Sequence, residues 1–420
     1  MLKSAPRTRV TITTETRVFA AAVLIGLLHA VDDAVLNRQP GVPADQHLPA
    51  LAAVTLAGVL AAAMFGRLRP GLRSALALTA GALTITNGAM HVIHVATVEV
   101  SGSDITGVLA AVSGLVLLGL GIAIPIVHRG EGATGTVRRW GNRGIALVAL
   151  AVVSQFVVVP VMVGLVQTHM YRKEVAEPPS PDFQAVTFES TDELTLSGWY
   201  RPSQNRAAVV IVNSAGGIRN GSIAHAELLA EHGYGVLLYD ARGTGTSDGT
   251  PNGWGWGWEH DVAGAVSFLQ RQPDVDPSRL GGLGLSTGAD VLIESAATDH
   301  DLRVVISDGA TGMSFADTPD GVADAALMWP MFTAGELFSG ESQDRPLREL
   351  AAEVSPTSLL LIAAGSMPME IPANERYAAA ANEPVELWRL PEVAHTHAID
   401  EVPGEYERRV IDQLDSVLLG

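Results

Sequence analysis

A serine flanked by two glycines stands where a predicted strand passes into a predicted helix, in the string Gly284-Leu285-Ser286-Thr287-Gly288. Small flanking residues permit the tight strand-to-helix turn that exposes a serine hydroxyl at its tip. The helix N-terminus behind the serine favours a developing negative charge. The sequence therefore predicts Ser286 as a nucleophile that attacks a carbonyl carbon. The alternative is an inert turn in which Ser286 serves as the helix N-cap.

Strand and helix signals alternate on both sides of this serine. The predicted strands are 184–189, 194–201, 207–213, 235–240, 279–285, 302–307, 358–363 and 385–390, and the predicted helices are 224–232, 258–271, 287–297, 373–381 and 403–418. Such alternation predicts an α/β fold, with a mostly parallel sheet covered by helices on both faces. The stretch 311–350 breaks the alternation and is predicted to form a cap over the site, with Met328, Trp329, Met331 and Phe332 as its apolar residues.

Three further strings carry a resemblance to a known family. Residues 239–247 read Tyr-Asp-Ala-Arg-Gly-Thr-Gly-Thr-Ser, residues 213–217 read Asn-Ser-Ala-Gly-Gly, and residues 391–395 read Pro-Glu-Val-Ala-His. With the serine turn, they make residues 183–420 similar to the α/β-hydrolase superfamily, specifically its dienelactone-hydrolase-like and serine-aminopeptidase-like lipase and esterase branches. The first string resembles the D-x-R-G-x-G-x-S stretch, the second stands at the oxyanion loop, and the third delivers a histidine.

The resemblance implies roles for these residues. His395 would take the proton of Ser286 and return it to the leaving group. His397, two residues on, is the alternative base, or else a surface histidine. The backbone N–H groups of Thr287 and, by resemblance, Ala215 would hold the oxyanion. This chain departs from the family pattern in that loop, where Asn213 and Ser214 replace His-Gly.

In this superfamily an acidic residue orients the histidine and completes a catalytic triad with the serine, and here its position departs from the family pattern. The family usually has Asp or Glu just beyond the strand that is here 358–363, but residues 365–370 read Gly-Ser-Met-Pro-Met-Glu. Glu370 is the nearest carboxylate and the predicted acid, although it is equally natural as a helix N-terminal carboxylate. Asp308 occupies an alternative position that some relatives use. If neither reaches His395, a serine–histidine dyad of reduced activity is expected.

Two other groups near the site have interpretations of their own. Asp240 and Arg242 are predicted to orient their loop rather than to act in catalysis. The Trp254-Gly255-Trp256-Gly257-Trp258 string fits an acyl pocket or a lipid contact, and it fits loop packing equally well.

The first 170 residues are of a different kind. Five apolar runs, at about 17–36, 48–66, 74–98, 106–127 and 144–168, each have the length needed to cross a bilayer. They predict an all-α transmembrane domain over 1–170. A polar, proline-rich linker over 171–183 follows, and then the hydrolase domain over 184–420.

Charge predicts the orientation of these runs. Eleven basic residues lie in the N-terminal tail and in alternate loops, against one, Arg38, in the other loops. The positive-inside rule then places the N-terminus in the cytoplasm, and five crossings place the hydrolase domain outside. Arg172 and Lys173 oppose this predicted orientation, because they are basic residues that flank the last run on its outer side. The predicted location is a multi-pass protein of the cell membrane.

Several polar residues interrupt the apolar runs: His29, Asp32, Asp33, His47, Asn87, His91 and His94. Ionisable residues inside membranes are costly and often mark function. A metal site built on His91 and His94, with His29 or Asp32, is one interpretation. A hydrogen-bonded cluster that joins helices is the favoured one, and no metal is predicted, because no complete ligand motif is present.

Composition excludes several classes of function. Residues 1–175 carry a net charge of +6 and residues 176–420 a net charge of −24, which argues against nucleic-acid binding. The chain has no cysteine, and its glycine-rich segments lack phosphate-binding spacings, so no cofactor is predicted. The predicted function is a membrane-anchored serine hydrolase of a carboxylic ester, or of a lipid or amide, with membrane lipids as neighbours. The alternative is a weak or inactive hydrolase-fold sensor or scaffold.

Overall fold

The computed structural model describes residues 14–37, 44–97, 102–128, 141, 144, 148, 150–168, 170, 172–317, 322–343 and 345–420. The chain forms two compact units, which meet in the sequence between Val166 and Gln167. Most of the basic residues that predict the membrane orientation, among them Arg129, Arg138, Arg139 and Arg143, lie outside the described residues, as does part of the run 144–168.

The N-terminal unit is helical, as the apolar runs predict. Its described helices are α1 (Thr14–Val31), α2 (Ala44–Phe65), α3 (Pro70–Thr97), α4 (Gly102–Val127) and α5 (Val159–Thr168). A π-helical turn, Asp32–Leu36, extends α1, and another, Ser154–Val158, precedes α5. Four segments of the described chain are long and apolar enough to span a membrane: Thr14–Leu36, His47–Phe65, Asp104–Val127 and Leu150–Thr168. The remaining run lies in α3.

Helix α3 packs closely along α4 through small residues on both helices. A Cβ atom on Gly88 would lie 2.5 Å from the carbonyl oxygen of Gly107, and one on Gly81 would lie 2.9 Å from that of Gly114. Only glycine permits this approach of two helix backbones, which is the packing mode common between membrane helices. The glycines recur every seven residues, so the contact extends over several turns.

The C-terminal unit is built on one eight-stranded sheet. Its strands are β1 (Gln184–Glu189), β2 (Thr195–Arg201), β3 (Ala208–Val212), β4 (Gly235–Tyr239), β5 (Leu280–Leu285), β6 (Val304–Asp308), β7 (Ser358–Ala364) and β8 (Val385–Leu390). They lie in the order β1-β2-β4-β3-β5-β6-β7-β8. Strand β2 is antiparallel to both of its neighbours, β1 and β4, and the pairs among β3 to β8 are all parallel. The predicted strands are confirmed to within two residues at each end.

Helices cover both faces of the sheet. They are α6 (Ile223–Glu231), α7 (Trp258–Gln270), α8 (Thr287–Thr298), α9 (Val322–Ser339), α10 (Leu347–Ala351), α11 (Glu370–Ala380), α12 (Ala398–Glu401) and α13 (Pro403–Leu418). The central strands β3 to β7 are fully buried, because each face packs on its own helix layer. The architecture is the α/β-hydrolase fold, so the prediction of fold class is confirmed.

The insert between β6 and β7 contains α9 and α10. Phe332 of α9 packs against the indole rings of Trp254 and Trp256, with ring centroids 5.8 and 6.0 Å away. Those two indoles stack on each other at 4.8 Å. The insert is therefore held to the domain by an aromatic cluster, while Trp329 of the same helix is 59% exposed.

Candidate active site

Ser286 occupies the turn between β5 and α8. Its φ is +54°, a conformation that is strained for any residue with a Cβ atom and typical of a nucleophile elbow. A Cβ atom on Gly284 would collide with the carbonyl oxygen of Gly288, and one on Gly288 would collide with that of Val212. The turn therefore has room only for glycine at positions 284 and 288, which explains why the two glycines flank the serine at this spacing.

A chain of hydrogen bonds runs from Ser286 into the protein. Its Oγ atom lies 2.9 Å from Nε2 of His395, and Nδ1 of His395 lies 2.6 Å from Oε2 of Glu370. The second bond fixes the imidazole tautomer, because a carboxylate can only accept, so Nδ1 carries the proton. Nε2 is then free to accept the proton of the serine hydroxyl. The structure thus brings together three residues that lie 25 to 109 positions apart.

Glu370 is buried and held on both carboxylate oxygens. It is the first residue of α11, six residues beyond the end of β7, and its side chain is 0% exposed. Its other oxygen, Oε1, accepts a hydrogen bond of 2.6 Å from the backbone N–H of Ala364. The base is held as well, since the backbone N–H of His395 donates to Oγ of Ser366 at 2.8 Å. The loop between β7 and α11 therefore positions both the acid and the base.

Asp308 lies near this chain without joining it. It ends β6, and its backbone oxygen accepts the N–H of Ser286 at 2.8 Å. The described side-chain bonds of His395 go to Glu370 and Ser286, so Asp308 is not the hydrogen-bond partner of the base. Burial, and then the charge of Glu370, raise the pKa of Asp308 to about 7. Of the two candidate acids, the structure places Glu370 against the histidine.

The two candidate oxyanion donors lie on adjacent loops. Thr287 is the first residue of α8, so its N–H has no partner within the helix. Ala215 is exposed in the turn after β3, which pairs with β5 in register Val212 to Gly284. Parallel neighbours end at the same sheet edge, so the turn that contains Ala215 lies at the same edge as the turn that contains Ser286. The replacement of His-Gly by Asn213 and Ser214 leaves this turn in place, and the Asn213 amide donates to the carbonyl of Tyr239 at 3.4 Å.

The chain from Gln167, at the end of α5, to Arg172 contacts this region, which the sequence did not predict. The sulfur of Met170 packs against Gly216 of the oxyanion loop, and the N–H of Gly253 donates to the carbonyl of Gln167 at 2.8 Å. The guanidinium of Arg172 donates to the backbone carbonyls of Gly245, Ser247 and Gly249. The beginning of the linker is therefore fixed on the loops around the site.

The other sequence interpretations have clear outcomes. Asp240 is paired with Arg219 at 2.6 Å, and Arg242 is paired with Asp261 at 2.8 Å, both in buried contacts that hold the loop. His397 contacts Asp400 and is exposed, so it does not reach Ser286. The tryptophans of residues 254–258 are buried, and Nε1 of Trp256 donates to the carbonyl of Met313. Loop packing is therefore their described role.

A buried carboxylate beside the nucleophile holds the base of the insert. Oδ1 of Asp290, in α8, accepts the N–H groups of Thr311 and Gly312 at 2.9 and 3.1 Å. Burial raises the pKa of Asp290 to about 8. The folded state therefore keeps a proton that the unfolded state, with a pKa of about 3.9, releases at neutral pH. The stability contributed by this proton is complete below pH 4 and is lost as the pH rises through 8.

We expect the free energy of unfolding of the hydrolase unit to fall between pH 6.5 and 8.5, by roughly 2 kcal/mol from Asp290 alone. Asp290→Asn should flatten this dependence, because the amide oxygen can still accept both N–H groups. Thermal unfolding of the full chain in detergent, followed by tryptophan fluorescence at several pH values, measures this pH dependence of the free energy of unfolding. Asp276→Asn is the control, since Asp276 is exposed and its pKa is lowered. An Asp290→Asn slope equal to that of the wild type would contradict this account.

Comparisons with known proteins relate this chain to a family and to several proteins. A family model described as X-Pro dipeptidyl-peptidase (S15 family) matches residues 169–389, which include Ser286 and Glu370. The uncharacterized protein YfhR of Escherichia coli K12 is 31% identical over 247 residues, 56% of this chain and 81% of that protein. An uncharacterized protein of Mycobacterium tuberculosis H37Rv is 31% identical over 223 residues, 51% of this chain and 73% of that protein. The structure of the Pyrococcus furiosus esterase Pf2001 covers 59% of this chain and 100% of that chain, at 20% identity and a TM-score of 0.48.

Proposed function

This chain belongs to the S15 peptidase family, and on that premise we propose that it is a membrane-anchored serine hydrolase of carboxylic esters, acting through an acyl-enzyme on Ser286. The observation that carries the proposal is the hydrogen-bonded chain from Ser286 through His395 to the buried Glu370. Each member has the chemical role that its neighbour requires: a nucleophile, a base with the correct tautomer, and an acid that orients the base.

The mechanism follows from these contacts. Ser286 Oγ attacks the carbonyl carbon of the substrate, while Nε2 of His395 takes its proton. The buried carboxylate of Glu370 stabilises the imidazolium that forms. The N–H groups of Thr287 and Ala215 receive the oxyanion, a contribution of about 3 kcal/mol for each donor. His395 then protonates the leaving alcohol, and a water molecule, deprotonated by the same nitrogen, releases the acid and restores the serine.

Apolar side chains beside the base favour an acyl chain as the substrate. Met367 and Met369 lie on the loop between Ser366 and Glu370, both of which bond to His395, and they are 40% and 46% exposed. Phe315 and Trp329 are exposed on the insert. Exposed apolar groups beside a catalytic site are suited to an apolar ligand. A small-molecule or lipid ester therefore fits this rim better than the charged N-terminus of a peptide does.

We further propose that α3 is a fifth membrane span, which places the hydrolase unit outside the cytoplasm. With 28 residues, α3 is long enough to cross, and it is packed along the membrane-length helix α4. The charge of Arg172, which opposed this orientation in the sequence, is engaged by backbone carbonyls of the hydrolase unit. Because these hydrogen bonds hold the guanidinium of Arg172, we give this residue little importance in predicting the membrane orientation.

The test is a comparison of substrates with the full chain in detergent. A p-nitrophenyl ester series from acetate to decanoate should be hydrolysed with higher kcat/KM than glycyl-prolyl-p-nitroanilide, and longer chains should be preferred. Faster hydrolysis of the anilide would reassign the protein as a peptidase. A folded wild type that neither hydrolyses these compounds nor reacts with a fluorophosphonate probe would favour the sensor or scaffold.

A further inference from the structure

Two histidines and an aspartate in the membrane unit face one another. His29 lies near the end of α1, Asp33 in the π-helical turn that follows, and His91 in α3. Nε2 of His29 is 3.3 Å from one carboxylate oxygen of Asp33, and Nε2 of His91 is 3.7 Å from the other. One donor atom from each of the three residues can be chosen so that all lie within 4.8 Å of one another.

The hydrogen bonds behind the rings determine which nitrogen atoms carry protons. The hydroxyl of Thr106 donates to Asp32 at 2.5 Å, so its oxygen accepts from Nδ1 of His29 at 3.1 Å. Nδ1 of His91 likewise faces the buried carboxylate of Asp104 at 3.1 Å. Both neutral rings therefore present an Nε2 lone pair towards the carboxylate of Asp33, which can itself only accept.

Three lone-pair donors that face one another are stabilised by a cation between them, either a metal ion or a proton on one imidazole. Nε2 of His29 is completely buried, and among the described residues it has no hydrogen-bond partner with acceptable geometry. An unsatisfied buried nitrogen of this kind is costly in an apolar region. Ligands of a tetrahedral ion with bonds of 2.0–2.1 Å lie about 3.3 Å apart, close to the separations from Asp33.

The backbone around the cluster is also unusual. Asp33 belongs to the π-helical turn Asp32–Leu36, and such turns are rare and concentrate at functional sites. A Cβ atom on Gly107 of α4 would collide with the ring of His91, so this glycine provides the space for the imidazole. Three helices thus contribute the ligands or the groups that orient them.

We propose that His29, Asp33 and His91 bind a divalent transition-metal ion, with Zn²⁺ as the ion best suited to two imidazole nitrogens and one carboxylate oxygen. Asp104 and the Thr106–Asp32 pair orient the ligands from behind, as carboxylates do at zinc sites. Three protein ligands leave a fourth position open. The side chains of Asp33 and His91 are 25% and 20% exposed. The sequence had favoured a simple hydrogen-bonded cluster here.

The test is the metal content of the full chain, purified in detergent through a tag without histidines. After incubation with Zn²⁺ and removal of the excess, we expect about one zinc per chain by mass spectrometry, and less than about one tenth in His29→Gln and in His91→Gln. His128→Gln is the matched control, because His128 contacts Glu15 elsewhere in the same unit, and it should retain the metal. A size-exclusion profile and a helical circular-dichroism signal equal to those of the wild type would show that the variants are folded.

A second measurement uses only the wild type, so its result does not depend on whether the variants fold. Loading with Co²⁺ should produce visible d–d absorption bands typical of four-coordinate cobalt, and added Zn²⁺ should remove them. A folded wild type that retains neither metal and shows no such bands would overturn the proposal. That result would leave the proposed hydrolase function unaffected, since Ser286 and its partners do not depend on the membrane cluster.

Discussion

Replacing Ser286 with alanine is expected to lower kcat for a p-nitrophenyl ester by about 10⁵–10⁶-fold, with little change in KM. The serine forms the covalent bond, and the rest of the site still binds the substrate. His395→Ala should cost about as much, because without Nε2 the hydroxyl has no base within 2.9 Å. The two losses should not add, since both residues act in the same step. Steady-state kinetics with the full chain in detergent measure kcat and KM of the two single variants and of the double variant.

The control for this experiment is Ser278→Ala. Ser278 is also an exposed serine of the hydrolase unit, but its hydroxyl donates to Asp276 in a turn before β5. It should keep the activity and the fluorophosphonate labelling of the wild type. If Ser286→Ala retained more than about 1% of the wild-type rate, another nucleophile would be responsible, and the assignment of Ser286 would be wrong.

Replacing Glu370 with glutamine is expected to lower kcat by about 10³–10⁴-fold, in line with the loss known for an orienting acid of this type. The amide can present an N–H₂ group to Nδ1 of His395. That contact favours the tautomer with the proton on Nε2, which cannot accept the proton of Ser286. The expected effect therefore arises from the orientation and tautomer of the base, and KM should change little.

Asp308→Asn is the matched comparison, because it removes the other candidate acid with an equally conservative change. Since His395 is hydrogen bonded to Glu370 and not to Asp308, we expect a loss of less than about tenfold. Circular dichroism should show that both variants are folded. The reverse order of losses would assign Asp308 as the orienting acid and would contradict the geometry of the site.

The position of Glu370 explains how the chain departs from its family and still builds a complete hydrogen-bonded chain. A glutamate reaches one methylene further than an aspartate, and here it begins α11 rather than following β7 directly. Its second oxygen is held by Ala364 at the strand end, so the longer side chain is fixed at both oxygens. The missing aspartate, which motivated the inactive alternative, is therefore offset by a longer side chain placed later in the chain.

Local pattern in the sequence determined most of the fold and part of the site. Strand and helix periodicity located all eight strands, and the two glycines around Ser286 predicted its turn, because these features depend on neighbours within a few residues. The apolar runs predicted the helices of the N-terminal unit for the same reason. His395 was predicted through a string that resembles a family, with the last strand just before it.

Only the tertiary structure decided between alternatives that depend on distant contacts. Glu370 and Asp308 are both near strand ends, and the path of residues 365–370 alone selects which of them meets His395. The tautomers of His29 and His91 depend on Thr106 and Asp104, on another helix. Hydrogen bonds require atoms to lie within about 3 Å, and the sequence carries no measure of such distances between elements.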